Sequence, residues 1–508
     1  MSRPPLTLLD RALGYLAPQV AYRRYASRMA LHLLSGRGYD VVGAASQRVA
    51  GMSGLSNASA DVEIAAAAPV LRARMRDLVR NNPLAAQAVQ VLVNNMVGTG
   101  IRPRAATGDA SLDARVNALW EDWSRECDAD GHTDFHGLVS LAVRGMIEGG
   151  ETLAVRRAPG RQRGRVPLKV ALYEPDFIDD GRMSVSQRGA RVDRGIEYSE
   201  AGERLAYWMF PEHPGGRAHA GWRSMGSVRV PADDVAHLFE RQRLQNRGVP
   251  WGVPAMRSIE ELGNWQIAEL TRKRTEACLV GVVTSDEANV SLAPGAADGQ
   301  LVDGRGVQVE QFSPGMIAYL RGGTGVEFLQ PSSAGGVDEW NRVQMHIIAA
   351  GFRVPYALMT GDMSQANFSS TRAGLNEFRR MVESVQWLTI IPMLCQRIWD
   401  WFVEEAHREG LLPQDRIAVE WGPPRFESVN PLQDAQTDLL EVRAGFASLP
   451  QMVAKRGYDA AEVLRETGAA LKEAQALGLV LDSDGSQTSR AGQMQAHRPA
   501  PGDGNGDS

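Results

Sequence analysis

The chain has 508 residues, 44% of them apolar and 23% charged, and a formal net charge of −5. That length exceeds one ordinary hydrophobic core, so two to four domains, or one elaborated assembly subunit, are expected. The negative balance excludes a molecule whose whole surface grips polyanions, and the absence of any run of about 18 apolar residues argues against a membrane span.

Residues 1–60 carry seven arginines against Asp10 and Asp40, a local balance of +5. This stretch has no unbroken apolar core and no small-residue cleavage site, so it makes a poor signal peptide. Its later part, "GAASQRVAGMSGLSNASAD", is small and polar and is expected to be adaptable. From about Val62 to Met96 the pattern is helical. Within "RNNPLAAQAVQVLVNNMVGTG", Asn82 is a good N-cap and Pro83 sits where a missing N–H costs nothing. Leu84, Ala85, Ala88, Val89, Leu92, Val93 and Met96 then define one buried face, and Gly98 and Gly100 end the helix. A phosphate loop would need its glycines to open a helix, and here the order is reversed.

Further helices are predicted at "SLDARVNALWEDWSREC" and "FHGLVSLAVRGMIEGG". Between residues 151 and 240 the text changes to short β-rich runs separated by turn residues: "ETLAVRRA", "LKVALYEPDFI", "RGIEYSE", "RLAYWMF" and "VAHLFE". A long helix follows from Ala255 to Leu279, which at 1.5 Å per residue would measure about 37 Å. Residues 280–335 return to short strands and glycine turns, and a second helix is predicted over Val337–Phe352. A helix, a small β insert and a returning helix make a stalk carrying a compact head. The longest helical stretch runs from Thr371 to about Arg408, with an interruption expected at Pro392. Residues 430–480 are helical again, and the segment from Ser483 onwards reads as a disordered tail.

Catalytic signatures are scarce. No lysine follows a glycine, so the Walker phosphate loop is absent and a P-loop ATPase is excluded; G-x-S-x-G and H-E-x-x-H are missing too. Three separated cysteines (Cys127, Cys278, Cys395) give neither a disulfide framework nor paired zinc spacing, which fits a reducing compartment. The cluster "CDADGHTDFHG" places Cys127, Asp128, Asp130, His132, Asp134 and His136 together. His132 and His136 could share a helical face as zinc ligands do, and the other reading is a polar loop capping the helix that begins near Asp134. "EGGE", Glu148 to Glu151, reads either as a carboxylate pair or as a helix-ending glycine pair before a strand. "TRKR" is a weak nucleic-acid signal near a helix C-terminus, where basic residues are favourable in any case. "WLTIIPMLCQRIWDWF" reads as core or subunit interface. Arginine supplies 51 of the 55 basic residues; its fork suits fixed bidentate contacts, though a GC-rich coding genome gives the same bias.

Taken together and in order, "RARMRDLVRNNPLAAQAVQVLVNNMVGTGIRPR", "CDADGHTDFHGLVSLAVRGMIEGGETL", "ALYEPDFID", "GVPWGVPAM" and "MHIIAAGFRVPYALMTGDMSQANFSSTRAGLNEFRR" resemble the portal proteins of lambda-type tailed bacteriophages, from about residue 60 to about 430. The resemblance implies an α+β portal fold of wing, stem, clip and crown, ring-forming and usually of twelve copies at one capsid vertex. Carried onto this chain, it implies a basic N-terminal segment at 1–60, a wing at 61–254 and stem helices at 255–279 and 337–352. It places a clip at 280–336, a tunnel loop at 353–370, a wing/crown helix at 371–425, crown helices at 426–482 and a tail at 483–508. Gln365, Asn367, Ser369 and Ser370 would touch DNA in the channel; the plainer alternative makes Ser369 or Ser370 a helix N-cap. The implied partners are other copies of the chain, double-stranded DNA, the terminase large subunit, the major capsid and scaffold proteins and head–tail connector proteins, in the virion and, during assembly, the host cytoplasm. No cofactor, metal, catalytic residue or membrane is implied. The competing expectation is a metal-dependent hydrolase or nuclease using the Cys127–His136 cluster with Glu148 and Glu151, and a third is a monomeric nucleic-acid adaptor.

Overall fold

The computed structural model describes residues 58–158, 164–185, 191–216, 226–277, 281–285, 301–302, 317–321, 325–328, 337–364, 368–424, 426, 431–456 and 460–481. The chain divides into two units: Met1–Met96 with Ala118–Ile417, and Val97–Asn117 with Ala418–Ser508.

Two helices open the described chain, α1 (Ala60–Asn81) and α2 (Pro83–Met96). The break between them is made by the side chain of Asn82, whose Oδ1 accepts from the N–H groups of Leu84 at 3.0 Å and Ala85 at 3.2 Å. Pro83 follows with no N–H to leave unsatisfied. Of the apolar face expected on α2, all but the half-buried Leu84 are fully covered. Next come β1 (Arg102–Ala105), α3 (Ala110–Ser124) and α4 (Phe135–Gly149). Trp120 of α3 packs on Phe135 of α4 with ring centroids 4.9 Å apart.

β2 (Glu151–Arg157) and β3 (Lys169–Tyr173) pair antiparallel. A five-stranded antiparallel meander follows: β4 (Ser184–Val185), β5 (Arg191–Asp193), β6 (Ile196–Tyr198), β7 (Arg204–Met209) and β8 (Val228–Pro231). β9 (Val235–Phe239) then returns to pair antiparallel with β2, giving the sheet order β3-β2-β9. Leu153, Val155 and Val235 from that sheet meet Ile196, Tyr198, Tyr207 and Met209 of the meander in one buried cluster. Each such side chain contributes about 1.5–3 kcal/mol by leaving water, and this is what joins the two sheets.

The long helix α5 (Val253–Ala277) leads to a second small sheet, β10 (Gly281–Ser285), β11 (Leu301–Val302), β12 (Ile317–Arg321) and β13 (Gly325–Phe328), in the order β11-β12-β10-β13. α6 (Val337–Phe352) returns from it, with the bounds expected from the sequence. A short helix, α7 (Tyr356–Thr360), and α8 (Phe368–Val385) follow.

The expected interruption at Pro392 is a correction. The chain does not break there; it continues as a π-helix over Gln386–Cys395 and resumes as α9 (Gln396–Arg408). Proline in an α-helix clashes with the carbonyl four residues back, and the wider π winding eases that clash, although Pro392 still has no N–H to donate. Trp399 and Phe402 of α9 close the aromatic core on Trp120, each at 5.1 Å, so this half of the Trp-rich stretch is interior. Trp387 and Leu388, by contrast, are exposed.

In the smaller unit β1 pairs antiparallel with β14 (Val419–Gly422), Arg102 opposite Gly422. The helical region expected at 430–480 is three helices, α10 (Pro431–Ala444), α11 (Leu449–Lys455) and α12 (Ala460–Ala476). Among the described residues, no helix is long and apolar enough to cross a membrane.

Candidate functional site

The feature to which the sequence assigned function is the α5–α6 strut. Its two helices do lie side by side. A Cβ placed on Gly351 would fall 2.8 Å from the Cβ of Ala255, and ten residues further along α5, Trp265 meets Trp340 with ring centroids 4.4 Å apart. Rising numbers on one helix thus match falling numbers on the other, and the pair is antiparallel. At the base, Ala255, Met256, Ile259 and Leu262 of α5 and Ile348, Ala349 and Phe352 of α6 are buried. Toward the β10–β13 sheet the cover of α5 stops, with Ile267 67% exposed and Leu270 also open, while on α6 Val343 is 55% exposed and Ile347 is open beside the buried base.

The base is held by a junction that begins at "EGGE". Gly150 ends α4 at φ 87°, a left-handed conformation that glycine adopts without strain, and the backbone of Val249 passes so close that a Cβ would lie 2.6 Å from its carbonyl carbon. The glycine pair therefore ends the helix and lets the loop feeding α5 lie on the turn. Trp251 N–H then donates to Ile147 O at 3.1 Å, and Gly252 O accepts from Ala255 and Met256 to start α5.

Next to that turn, Glu151 is fully buried and receives three hydrogen-bond donors and one further ion-pair contact. Arg247 gives Nε at 2.8 Å and stands in an ion pair through Nη2 at 2.7 Å, His237 Nε2 lies at 2.9 Å, and Gly248 N–H donates at 2.9 Å. Burial by itself would raise this carboxyl, but Arg247 and the His237 hydrogen bond hold it well below the usual glutamate range. His237 is pushed down to about 4, chiefly by burial, with Glu151 opposing and the Arg204 and Arg247 charges reinforcing. Its ring is thus neutral at pH 7, donating from Nε2 to Glu151, with Nδ1 left to accept from Tyr207 Oη and Arg204 Nη1, each at 3.3 Å. Arg247 Nη1 also donates to Asp180. The loop is pinned on its other side, where Asp61 of α1 accepts from Asn246 N–H at 2.7 Å and from its side-chain amide at 2.8 Å.

Beyond the strut, Arg353 takes φ 61°, lies over the Trp251 ring and donates to Glu240 at 2.7 Å. His346 stacks on Tyr356 at 4.1 Å, and Tyr356 Oη donates to Asp362 at 2.8 Å. Hydrogen bonds from Ser364 first, then Tyr356, take Asp362 down to about 2. The segment expected to be a plain loop thus contains α7 and its Gly361 cap. Gln365 and Asn367 lie outside the described residues. Ser369 and Ser370 stand in the first turn of α8, which starts at Phe368, so neither takes the N-cap position; their side chains lie outside the described set.

The metal-cluster reading of residues 127–136 meets a loop whose carboxylates serve the backbone. Asp128 accepts from the N–H groups of Asp130, His132 and Thr133, and Asp134 caps α4 through Gly137 N–H at 2.8 Å. Burial, then Asp128 and Asp134, push the Cys127 thiol up to about 12, which disfavours the thiolate that a ligand or nucleophile needs. Glu148 is raised by burial and pairs with Arg144, apart from the Glu151 junction. Glu174, Asp176 and His213 do place ligand atoms within 4.8 Å of one another, but Arg76 already donates to both carboxylates.

The sequence model described as "Phage portal protein, lambda family" matches residues 47–386. The chain belongs to that family. Among its relatives, the "Probable portal protein" of Halomonas phage phiHAP-1 is 25% identical over 84% of this chain and 85% of its own length. "Portal protein B" of Escherichia phage lambda is 21% identical, covering 80% of this chain and 84% of its own. A chain from the neck of an empty GTA particle aligns at TM-score 0.44 and 16% identity, over 76% of this chain and 93% of that one. This chain is therefore a portal protein of a tailed phage, and the metal-hydrolase alternative finds no support. Sequence reasoning missed the Glu151–His237–Arg247 junction. The available signal was one titratable residue in each of two apolar strands, "ETLAV" and "VAHLF".

Proposed function

We propose that copies of this portal protein, twelve in number, close into a ring at one capsid vertex, with the α5–α6 struts around a central channel. Duplex DNA passes through it, driven inward by the terminase and released at ejection. The β10–β13 head is the clip on which first the terminase and then head–tail connector proteins dock, and the ring is incorporated with scaffold and major capsid protein in the host cytoplasm. In this reading Gln365, Asn367, Ser369 and Ser370 are the candidates for sliding contact with DNA; uncharged polar tips touch phosphate without the counterion-release affinity that would arrest a moving duplex.

The observation that supports this reading is the bare apolar surface of the strut. Ile267 and Leu270 near its tip, with Val343 and Ile347 along α6, are apolar and exposed in one chain, as expected of helices that pack against neighbours in a closed heterologous ring. Light scattering and particle imaging of the purified protein, with and without its capsid partner, test it. Twelve chains of 55.3 kDa give about 664 kDa. A 55.3 kDa species under every condition, capsid protein included, would sink the proposal.

A further inference from the structure

Three guanidinium groups, those of Arg72, Arg194 and Arg247, are each more than nine-tenths buried and converge on Asp180. Arg247 is ion-paired with both Glu151 and Asp180, although its buried Nη2 makes no hydrogen bond. The other two are matched less well. Arg194 reaches Asp180 Oδ2 with Nη2 at 3.3 Å, and its Nη1 has no hydrogen-bond partner. Arg72 stands 3.6 Å from Asp176 and 3.9 Å from Asp180 through Nη2, beyond hydrogen-bonding range, and both its Nε and its Nη1 are buried without a partner. Asp176 is itself taken up by Arg76 at 2.6 Å. With Arg76 and its two carboxylates counted, Arg72, Arg76, Arg194 and Arg247 face Glu151, Glu174, Asp176 and Asp180, so the charges balance, yet Arg72 and Arg194 keep buried N–H groups that no acceptor reaches. A buried donor left without an acceptor is unfavourable, the more so on a charged group.

The backbone supplies a separate sign. Arg194 and Gly195 form the two-residue turn between Asp193 and Ile196, with φ 48° and 78°. Such turns favour Asn-Gly or Gly-Gly, since both central residues need positive φ. The turn gains nothing from arginine, so what Arg194 supplies is its buried charge.

We propose that Arg72 and Arg194, with Arg247 behind them, bind a small inorganic oxyanion of the phosphate or sulfate class between α1 and the β5–β6 turn. The unused N–H groups come from two differently placed guanidinium forks, which suits an ion with several acceptor oxygens. Burial of both side chains suits a free ion rather than a nucleic-acid backbone. The site lies beside Arg247, so occupancy would brace the junction that feeds the strut, and it stands independently of the ring reading.

The test is thermal melting of the full-length protein in 0–20 mM sodium phosphate, with ionic strength held constant by sodium gluconate, in parallel with calorimetric titration of phosphate. The expected result is a melting temperature that rises and saturates at low millimolar phosphate, by about 3 °C. Arg194→Asn, which suits the turn, should lose the saturable increment and keep its fold without phosphate. Arg72→Met provides a second removal of donors should the first variant misfold. A flat wild-type response with no calorimetric binding, as buried water at these donors would give, overturns the proposal. So does an increment of equal size in the variants, which would mark general salt exclusion from the surface.

Discussion

At its base, the strut buries Ala255, Ile259, Leu262, Ile348 and Phe352 and hangs on a fully buried carboxylate with three hydrogen-bond donors and an ion pair; toward its tip Ile267 and Leu270, and along α6 Val343 and Ile347, stand exposed. The base completes its packing alone and can be rigid in a single subunit. The tip leaves its packing to something else. Substitutions at the two ends should therefore fail differently, the first as loss of folding and the second as loss of assembly.

The largest effect is expected at Arg247. Arg247→Ala leaves Glu151 buried beside a neutral ring and should lower unfolding stability by about 3–5 kcal/mol, read from urea or thermal denaturation. A loss below about 1 kcal/mol would show that the junction does not hold the base.

Next comes acid. The folded His237 ring sits at about 4 against an ordinary 6.5, so as pH falls the unfolded chain takes up the proton first. The stabilisation it carries is complete above pH 6.5 and is lost progressively down to pH 4, on the order of 3 kcal/mol in total. Glu151, depressed in the fold, adds a further loss below pH 4.5. Denaturation curves across pH 4–7 should show a shallower slope in His237→Gln than in wild type, whatever its stability at pH 7.

Midway along the strut, Trp265→Ala removes a half-exposed aromatic pair and should cost about 1 kcal/mol or slightly more. Smallest in stability is the tip. Ile267→Ser with Leu270→Ser should leave subunit stability within about 0.5 kcal/mol of wild type while reducing the ring fraction seen by light scattering. Equal ring yield in that variant would mean that the bare stripe is not an interface.

The strut was legible in the sequence because its signals are local. α6 has a periodic apolar face from Trp340 to Phe352, and the Asn82–Pro83 boundary rests on one side chain and its two nearest amides. The junction was not legible as a unit, since Arg72, Glu151, Asp180, His237 and Arg247 come from five separate stretches; Glu151 and His237 stand out in their apolar strands, but nothing local pairs them with the arginines. For the same reason the β1–β14 pairing escaped notice: Arg102 and Gly422 meet across most of the chain. Pro392 misled because a proline reads as an end to α-helix, and sequence spacing does not show that the winding has widened to receive it.

That widened winding has a consequence for how the gene tolerates change. Gln396 N–H reaches back five residues to Ile391 O, so the Gln386–Cys395 stretch holds more residues per turn than its flanks. Removing a single codon there would let the coil tighten into ordinary α-helix, and because the widened winding already takes up extra residues, the tightening offsets much of the roughly 100° that a deletion costs in an α-helix. Trp399 and Phe402 would then stay near the aromatic core around Trp120 and Trp123. A one-residue deletion in this stretch should accordingly be more forgivable than one inside α8 or α9.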